Sequence, residues 1–423
     1  MDRLRELLTA RDREFRQQGN RVLHRGGPLT PELLLTLFVY QASAGNDRGY
    51  RRMLDGFWAR AADHGVELPC KDPVSAQAFS AARRKIPAEF VREILVAAAH
   101  EFDADFAERL RWRGRRLLAV DGARRFTRRS AELERVFGSK AGGHYPQMLI
   151  CTLYDVVAEV PIDAVVGSGA SSSERAHLMT LCRSVRPSDV VVLDRGFPSF
   201  DVFANILAAE ADFVVRMRKA RGFKAAADFA ASGKSEAVVT LTRRSGAQAP
   251  DAVREITVRL IRVERRGGEP WILATSLPAD EFPAECIADA YTRRWRIEEF
   301  YGQLVADYCD QAFFHSKSAD GVRQEVFAQL LFVVITRATM AAVAKTSGIE
   351  YSHLSRKGAT LATADGLIRL LRTGDPERYP DFLRRLLRRV ARALERPRPG
   401  RSAPRRSLLP AAKWTPLGRR GRR

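Results

Sequence analysis

The chain has 423 residues, too many for one small core, and its formal net charge of +21 most often indicates a polyanionic partner such as nucleic acid. Five scattered cysteines without a C-x-x-C pair argue against a disulfide framework or a zinc site, and they favour a reducing compartment. The absence of an apolar run of about 20 residues, and of an apolar signal region, predicts a cytoplasmic protein without a membrane span.

The first quarter of the chain, residues 1–105, is predicted to be helical. An apolar run at 32–41 follows a proline and predicts one helix, and the segments at 50–62 and 75–85 predict two more.

The segment at 75–85 has small polar residues first and basic residues last, which is typical of a recognition helix. Ser75 and Gln77 would then reach base edges or phosphates. The residues expected on the DNA backbone are Arg83, Arg84 and Lys85. The alternative is an ordinary amphipathic helix with a solvated basic end.

From residue 113 short apolar strands alternate with helices, which predicts an α/β layer with a mixed sheet. One strand, at 117–121, ends in Asp121-Gly122, and another, at 189–194, ends in Asp194-Arg195-Gly196-Phe197. Further strands at 147–154, 156–162 and 212–216 and helices at 171–182 and 199–209 complete the layer.

Aspartates at the ends of two buried strands suggest a site. Either residue alone is more simply a turn former or a helix cap, because Asp-Gly is a common turn dipeptide. Together with Glu298 later in the chain, Asp121 and Asp194 predict a carboxylate cluster, the kind of oxygen ligand set that Mg²⁺ or Mn²⁺ needs.

A block at 219–278 separates the second aspartate from the glutamate. Strand-like segments at 237–242, 255–263 and 271–275, divided by Gly-rich and polar breaks, predict a small antiparallel insertion.

Residues 284–301 contain no Gly or Pro and predict one continuous helix. Tyr291, Arg294 and Glu298 are spaced i, i+3 and i+7, which puts them on one stripe. A carboxylate beside a guanidinium and a phenol can hold a metal ion and a phosphate together. The alternative is an exposed helix face carrying an i, i+4 Arg–Glu pair.

The last part of the chain is predicted to contain an apolar helix at 322–344 packed against the sheet, and then a basic tail at 384–423. The composition of the tail predicts little fixed structure and attraction to phosphate, with a solubilising tail as the alternative. No G-x-x-x-x-G-K-[ST] loop is present, which argues against ATP hydrolysis.

Asp121-Gly122, Asp194-Arg195-Gly196-Phe197 and Tyr291-x-x-Arg294-x-x-x-Glu298 resemble the three catalytic segments of cut-and-paste DDE transposases of the insertion sequence four family. The segments at 143–147 and 315–325 are also similar to stretches of that family, and the resemblance covers roughly residues 30–410.

The resemblance implies a ribonuclease-H-like core in which Asp121, Asp194 and Glu298 bind two Mg²⁺ ions, which Mn²⁺ could replace. It implies strand cleavage and strand transfer by a bacterial transposase, with Tyr291, Arg294 and Lys317 on DNA phosphate. The expected partners are double-stranded DNA, both terminal inverted repeats and target, and a second copy in a homodimer, with the protein on the nucleoid through its DNA. The expected domains are a helical DNA-binding domain at 1–105, a core at 106–218 and 279–383, the β-rich insertion at 219–278, and the basic tail at 384–423.

One position departs from the family. The motif lysine seven residues after the glutamate is Val305 here, which cannot contact a phosphate, and Gln303 or Lys317 are the candidates to replace it. This departure keeps open a catalytically decayed copy that only binds DNA. A nuclease with the same core but no transposition is a third reading.

Overall fold

The structure is a computed structural model that describes residues 27–43, 49–106, 108–139, 143–218, 223–243, 253–265, 268–304, 314–371 and 379–395. Its centre is an eight-stranded sheet in the order β3-β2-β1-β4-β5-β8-β7-β6. The strands are β1 (Leu117–Phe126), β2 (Gln147–Asp155), β3 (Val160–Ser168), β4 (Val190–Leu193), β5 (Asp212–Arg216), β6 (Glu236–Thr242), β7 (Glu255–Arg265) and β8 (Gly268–Thr275).

Strands β1 to β5 form the mixed core. β2 is antiparallel to both β1 and β3, whereas β4 is parallel to both β1 and β5. This order and direction confirm the predicted ribonuclease-H-like α/β fold. The apolar sequence of β4 is buried throughout, as expected of a central parallel strand.

The helices pack against this sheet and against one another. They are α1 (Pro31–Ser43), α2 (Tyr50–Asp63), α3 (Ala76–Arg83), α4 (Ala88–Phe106), α5 (Ala131–Phe137), α6 (Glu174–Leu181), α7 (Phe200–Ala208), α8 (Lys224–Ser232), α9 (Ala284–Arg293), α10 (Trp295–Gln303), α11 (Ala319–Ser347), α12 (Arg356–Leu371) and α13 (Tyr379–Arg392).

Helix α11 is the main packing element of the helical part. It contacts α1, α4, α12, α13 and β3, so the N-terminal helices share one hydrophobic core with the later part of the chain. Its most apolar 18-residue window has a mean hydropathy of 1.9, enough by composition for a membrane span, but 89% of that window is buried inside the protein. This burial is that of a core helix.

Glu159, in the turn between β2 and β3, ties three elements together. Its buried carboxylate accepts from Arg296 and Arg356 and forms an ion pair with Arg337, whose side chain is 0% exposed. The backbone of Glu159 has φ 58, a left-handed conformation that is unusual outside glycine. Three arginines from α10, α11 and α12 therefore converge on one carboxylate.

Several predicted boundaries are wrong. β1 does not end at Asp121 but continues to Phe126, because β2 supplies a partner for every residue up to the pair Phe126 and Gln147. The strand expected at 156–162 begins only at Val160, after a turn. The block at 219–278 contains the expected antiparallel strands, β6, β7 and β8, and β8 also pairs with β5, so these strands extend the core sheet.

Two helical predictions also need correction. The helix expected at 284–301 is divided at Arg294, where i→i+3 backbone bonds tighten the turn. The first part of the tail expected at 384–423 is helical. It belongs to α13, which ends at Arg392 and buries Phe382, Leu386 and Val390 on one face. Residues 396–423 lie outside the described part of the chain.

Candidate active site

The parallel pairing of the central strands β1 and β4 brings Asp121 and Asp194 together at the edge of the sheet where β4 ends at its carboxyl side. The last parallel pair is Ala119 with Val192, and each aspartate follows its strand's member of that pair by two residues. The two carboxylates therefore lie close to each other, Asp121 within β1 and Asp194 directly after β4.

Both aspartates are fixed by the glycine that follows. Gly122 N donates to Asp121 Oδ1 at 2.9 Å, and Gly196 N donates to Asp194 Oδ1 at 2.5 Å. Burial raises the pKa of Asp121 to about 6, against the opposing effect of the Gly122 N–H, and the carboxylates of Glu174 and Asp194 raise it further. The edge is therefore rich in acceptors, and negative charge there is partly desolvated.

Arg294 interacts both with this edge and with the predicted third carboxylate. Its Nη2 donates to Glu298 Oε1 at 2.7 Å, and its charge also acts on Asp121. Arg294 is only 9% exposed, yet its Nε has no hydrogen-bond partner. An anionic group could accept from this atom.

Tyr291 completes the predicted stripe. Its ring packs edge-on against Trp271 of β8 at 4.9 Å, and the Arg294 guanidinium lies 5.9 Å from its centre. Burial raises the pKa of Tyr291, while Arg294 and Arg216 lower it. Tyr291, Arg294 and Glu298 thus share one side, as the helical spacing predicted, although the helix is divided between them.

Glu298 does not join the two aspartates in a closed ligand set. Within the described ranges, no group of three or more His, Cys, Asp or Glu side chains could hold a metal ion. The acceptor chemistry of the edge suits a hard divalent cation, but Glu298 is engaged by Arg294.

Two residues near the site were missed by the sequence reasoning. The Tyr301 hydroxyl lies 2.9 Å from Asp121 O and 3.0 Å from Thr152 Oγ1, which anchors α10 to β1 beside the aspartate. Glu174, the first residue of α6, lies against Gly122. Neither residue belongs to a motif, so only the packing of their helices could identify them.

The predicted DNA contacts on α3 separate into two groups. Ser75, whose Oγ accepts from Ala78 N, is exposed, and so are Gln77 and Arg84. Arg83 is buried at 3% exposure, and the prediction that it contacts DNA is wrong. Its guanidinium is taken up inside the protein by Tyr50, Gly321, Gln324 and Glu325.

Lys317 is exposed and lines, with Arg84 and Arg128, a cleft of about 710 Å³ between α3 and the start of α11. Gln303, the other candidate for the missing lysine, accepts instead from Arg337 Nη2 at 3.2 Å. Val305 itself lies outside the described residues. Of the two candidates, Lys317 is therefore the one with an exposed, positively charged side chain.

Residues 112–335, more than half of the chain, match the family described as transposase DDE domain. The transposase InsG of insertion sequence element IS4, from Escherichia coli strain K12, is 24% identical over 331 residues, covering 76% of this chain and 74% of that protein. A putative transposase InsL of IS186A, from the same organism, is 28% identical over 181 residues, which are 34% of this chain and 49% of that protein. A piggyBac transposase synaptic complex with hairpin DNA is similar with a TM-score of 0.46 at 13% identity, over 95% of this chain and 84% of that one. The chain belongs to the transposase DDE domain family, and it is a DDE transposase of the insertion sequence four type.

Proposed function

We propose that this transposase cuts DNA at the ends of its insertion sequence and joins the released ends to target DNA. The observation that supports the proposal is the matched register that places Asp121, within β1, beside Asp194, just after β4, with the charge of Arg294 acting on Asp121. Acceptors for a cation and a donor for a phosphate then lie within one site.

DDE transposases use a divalent metal ion. Carboxylates are the ligands that such ions prefer, and Gly122 and Gly196 leave the carboxylates room, since a Cβ at Gly196 would fall 2.8 Å from Asp194 Oδ1. We propose that Asp121, Asp194 and Glu298 hold two Mg²⁺ ions, replaceable by Mn²⁺, once Glu298 has left its hydrogen bond to Arg294. Bound metal would supply Lewis-acid activation of a water or 3′-hydroxyl and stabilise the leaving oxygen.

The chain's own groups bind and orient the phosphate. Arg294 Nε is a buried donor without an acceptor, so a phosphate oxygen beside Asp121 would satisfy it. Tyr291 holds the guanidinium from one side and is itself supported by Trp271. Tyr301 keeps α10 at a fixed distance from β1. Arg294 and Tyr291 are therefore proposed as the residues that place the scissile phosphate.

DNA is the proposed partner over a wider surface than this site. The net charge of +21 supplies the sequence-independent attraction. Ser75, Gln77 and Arg84 on α3, with Lys317 across the cleft, are proposed contacts to terminal-repeat DNA. A homodimer on the two ends, in the bacterial nucleoid, remains our proposal for the working assembly.

The test is cleavage and joining of linear DNA that carries the element's own terminal repeats, in Mg²⁺ and then Mn²⁺. Wild-type protein should cut and join, and Asp194→Asn should reduce both reactions to background. Asp228→Asn, an exposed aspartate on α8, is the matched control and should act like wild type. Equal cleavage by Asp194→Asn would exclude the site, whereas tight binding without cleavage in either metal would show a decayed copy.

A further inference from the structure

The loop that follows β4 is bordered by an arginine from the end of the neighbouring strand. β4 and β5 run parallel, and their last pair is Leu193 with Val215. The chain after β5 therefore passes beside the loop that begins with Asp194. Arg218 Nε donates to Arg195 O at 2.7 Å, which fixes the two segments to each other.

The first turn of α6 contacts the same loop. Ser173 caps α6 by accepting from Ala176 N, and Arg175 Nε donates to Gly196 O at 2.8 Å. Gly196 N in turn donates to Asp194 Oδ1. Arg175 is thereby attached to the residue that orients the Asp194 carboxylate.

Both arginines use only the Nε nitrogen to hold the loop. Within the described ranges, Nη1 and Nη2 of Arg175 and Arg218 donate no hydrogen bond, and no carboxylate forms an ion pair with either side chain. Both side chains are exposed. The two Nη groups of an arginine match the geometry of phosphate oxygens. Two such groups are therefore fixed in place beside Asp194 and open to an anion from outside the chain.

The two guanidinium groups also repel each other. Burial lowers the pKa of Arg175, and the charge of Arg218 lowers it further. The exposed side chain of Arg195 adds a third positive charge to the loop. A polyanion bound at this position would offset the repulsion.

Arginines at the opposite edge of the sheet have carboxylate partners. Where β1 and β4 begin, Arg116 Nη2 lies 2.5 Å from Asp189 Oδ2. Where β5 begins, Arg115 Nη1 lies 2.7 Å from Asp212 Oδ2. The chain thus neutralises its arginines where the parallel strands start and leaves them without acidic partners where β4 and β5 end. This difference indicates a partner for the second edge that lies outside the chain.

Building on the proposed function, we propose that Arg175 and Arg218 bind phosphates of the DNA backbone next to the scissile phosphate. Each DNA strand carries a phosphate about every 3.4 Å of helix axis, so a strand whose scissile phosphate lies beside Asp194 has neighbouring phosphates near this loop. Contacts of this kind position the strand without reading its bases. The element end and the target DNA carry the same phosphate chemistry, and two binding measurements distinguish them.

The first measurement is fluorescence anisotropy of a terminal-repeat duplex with flanking DNA, bound to full-length protein in EDTA over a salt series. If the phosphates belong to the element end, Arg175→Gln and Arg218→Gln should each lower the affinity by about three- to tenfold. The slope of the logarithm of affinity against the logarithm of salt concentration should become smaller by about one.

The second measurement uses protein already loaded with precut terminal-repeat ends. A labelled duplex without the repeat is then titrated in the same buffer. If the phosphates belong to target DNA, the two variants should bind the element end like wild type. They should bind the second duplex about three- to tenfold more weakly, with the same change in slope.

Arg109→Gln is the matched control for both measurements. Arg109 is an exposed arginine that precedes β1, whereas the proposed contacts follow β4 and β5. The control should leave both affinities and both slopes unchanged. Thermal unfolding of each variant checks that it folds.

The outcomes separate this inference from the proposed function. Unchanged slopes in both measurements would overturn the inference, and a fall in cleavage without any change in slope would show that the arginines only support the loop. Neither binding measurement needs cleavage. A smaller slope together with full cleavage by Asp194→Asn would refute the proposed function alone, whereas unchanged slopes together with loss of cleavage in Asp194→Asn would refute this inference alone.

Discussion

The pair between Arg294 and Glu298 should control how tightly the free protein binds metal. Arg294 Nη2 donates to Glu298 Oε1 at 2.7 Å, so Glu298 must leave this partner before it can bind an ion beside Asp121. Arg294→Gln removes the competing cation. We therefore expect Mn²⁺ affinity to rise in this variant, although DNA cleavage falls because the phosphate donor is lost.

The size of the effect follows from the burial of the pair. A hydrogen bond between charged groups contributes about 1.5–3 kcal/mol when it is well shielded. The Glu298 side chain is 34% exposed, so water weakens this pair to about 1–2 kcal/mol. That range corresponds to a factor of about 5–30 in Mn²⁺ affinity.

Isothermal titration of Mn²⁺ into Arg294→Gln measures this factor. Part of any rise is a direct charge effect, because Arg294 also acts on Asp121. Repeating the substitution in a Glu298→Gln background separates the two contributions, since the release of Glu298 cannot occur there. Unchanged or weaker Mn²⁺ binding by Arg294→Gln would refute the view that the ion pair restrains Glu298.

Other predictions concern stability and DNA binding. Glu159→Gln removes the counter-charge of three arginines, including the fully buried Arg337, and should lower the free energy of unfolding by about 3–5 kcal/mol in urea denaturation; a loss below about 1 kcal/mol would contradict this. Arg83→Met should destabilise the protein by a similar amount because it leaves the buried Glu325 carboxylate without its arginine, whereas Arg84→Ala should leave stability within about 0.5 kcal/mol. In gel shifts over a salt series, Arg84→Ala should also lower DNA affinity. The slope of the logarithm of DNA affinity against the logarithm of salt concentration should become smaller by about one. An unchanged slope would exclude the contact. Burial raises the pKa of Asp155 to about 6 from 3.8, so the folded state binds its proton more tightly and this residue's contribution to stability falls as pH rises through that window. Asp155→Asn should remove that fall. If the free energy of unfolding of wild type minus that of the variant does not change between pH 3.8 and about 6, the burial of Asp155 does not shift its pKa in this way.

Much of the fold is encoded in local patterns. The strand at 212–216 was predicted to the residue, because an apolar run between a turn and a basic segment has few alternative structures. Asp121 and Asp194 could be proposed as site residues for the same reason, since each follows a buried apolar segment. The helical period alone put Tyr291, Arg294 and Glu298 on one side.

Contacts between distant segments could not be predicted in this way. Arg83 looked like the solvated end of a recognition helix, but Glu325, 242 residues later, neutralises it inside the protein. α13 looked like part of a basic tail, because its exposed arginines outnumber the apolar residues that it buries. In both cases the sequence showed the charged residues, but it did not show what they or their neighbours contact in the folded protein.

The Asp121-Gly122 dipeptide shows how a local sequence pattern can predict the wrong backbone structure. The sequence favoured a turn there, yet Gly122 lies within β1 and pairs with Cys151. Its missing Cβ instead makes room for Glu174, just as Gly167 on β3 makes room for His177, one turn later on α6. Two glycines under one helix indicate that α6 must approach the sheet closely. That approach brings the Glu174 carboxylate close to Asp121, which the spacing of the three motif acids could not reveal.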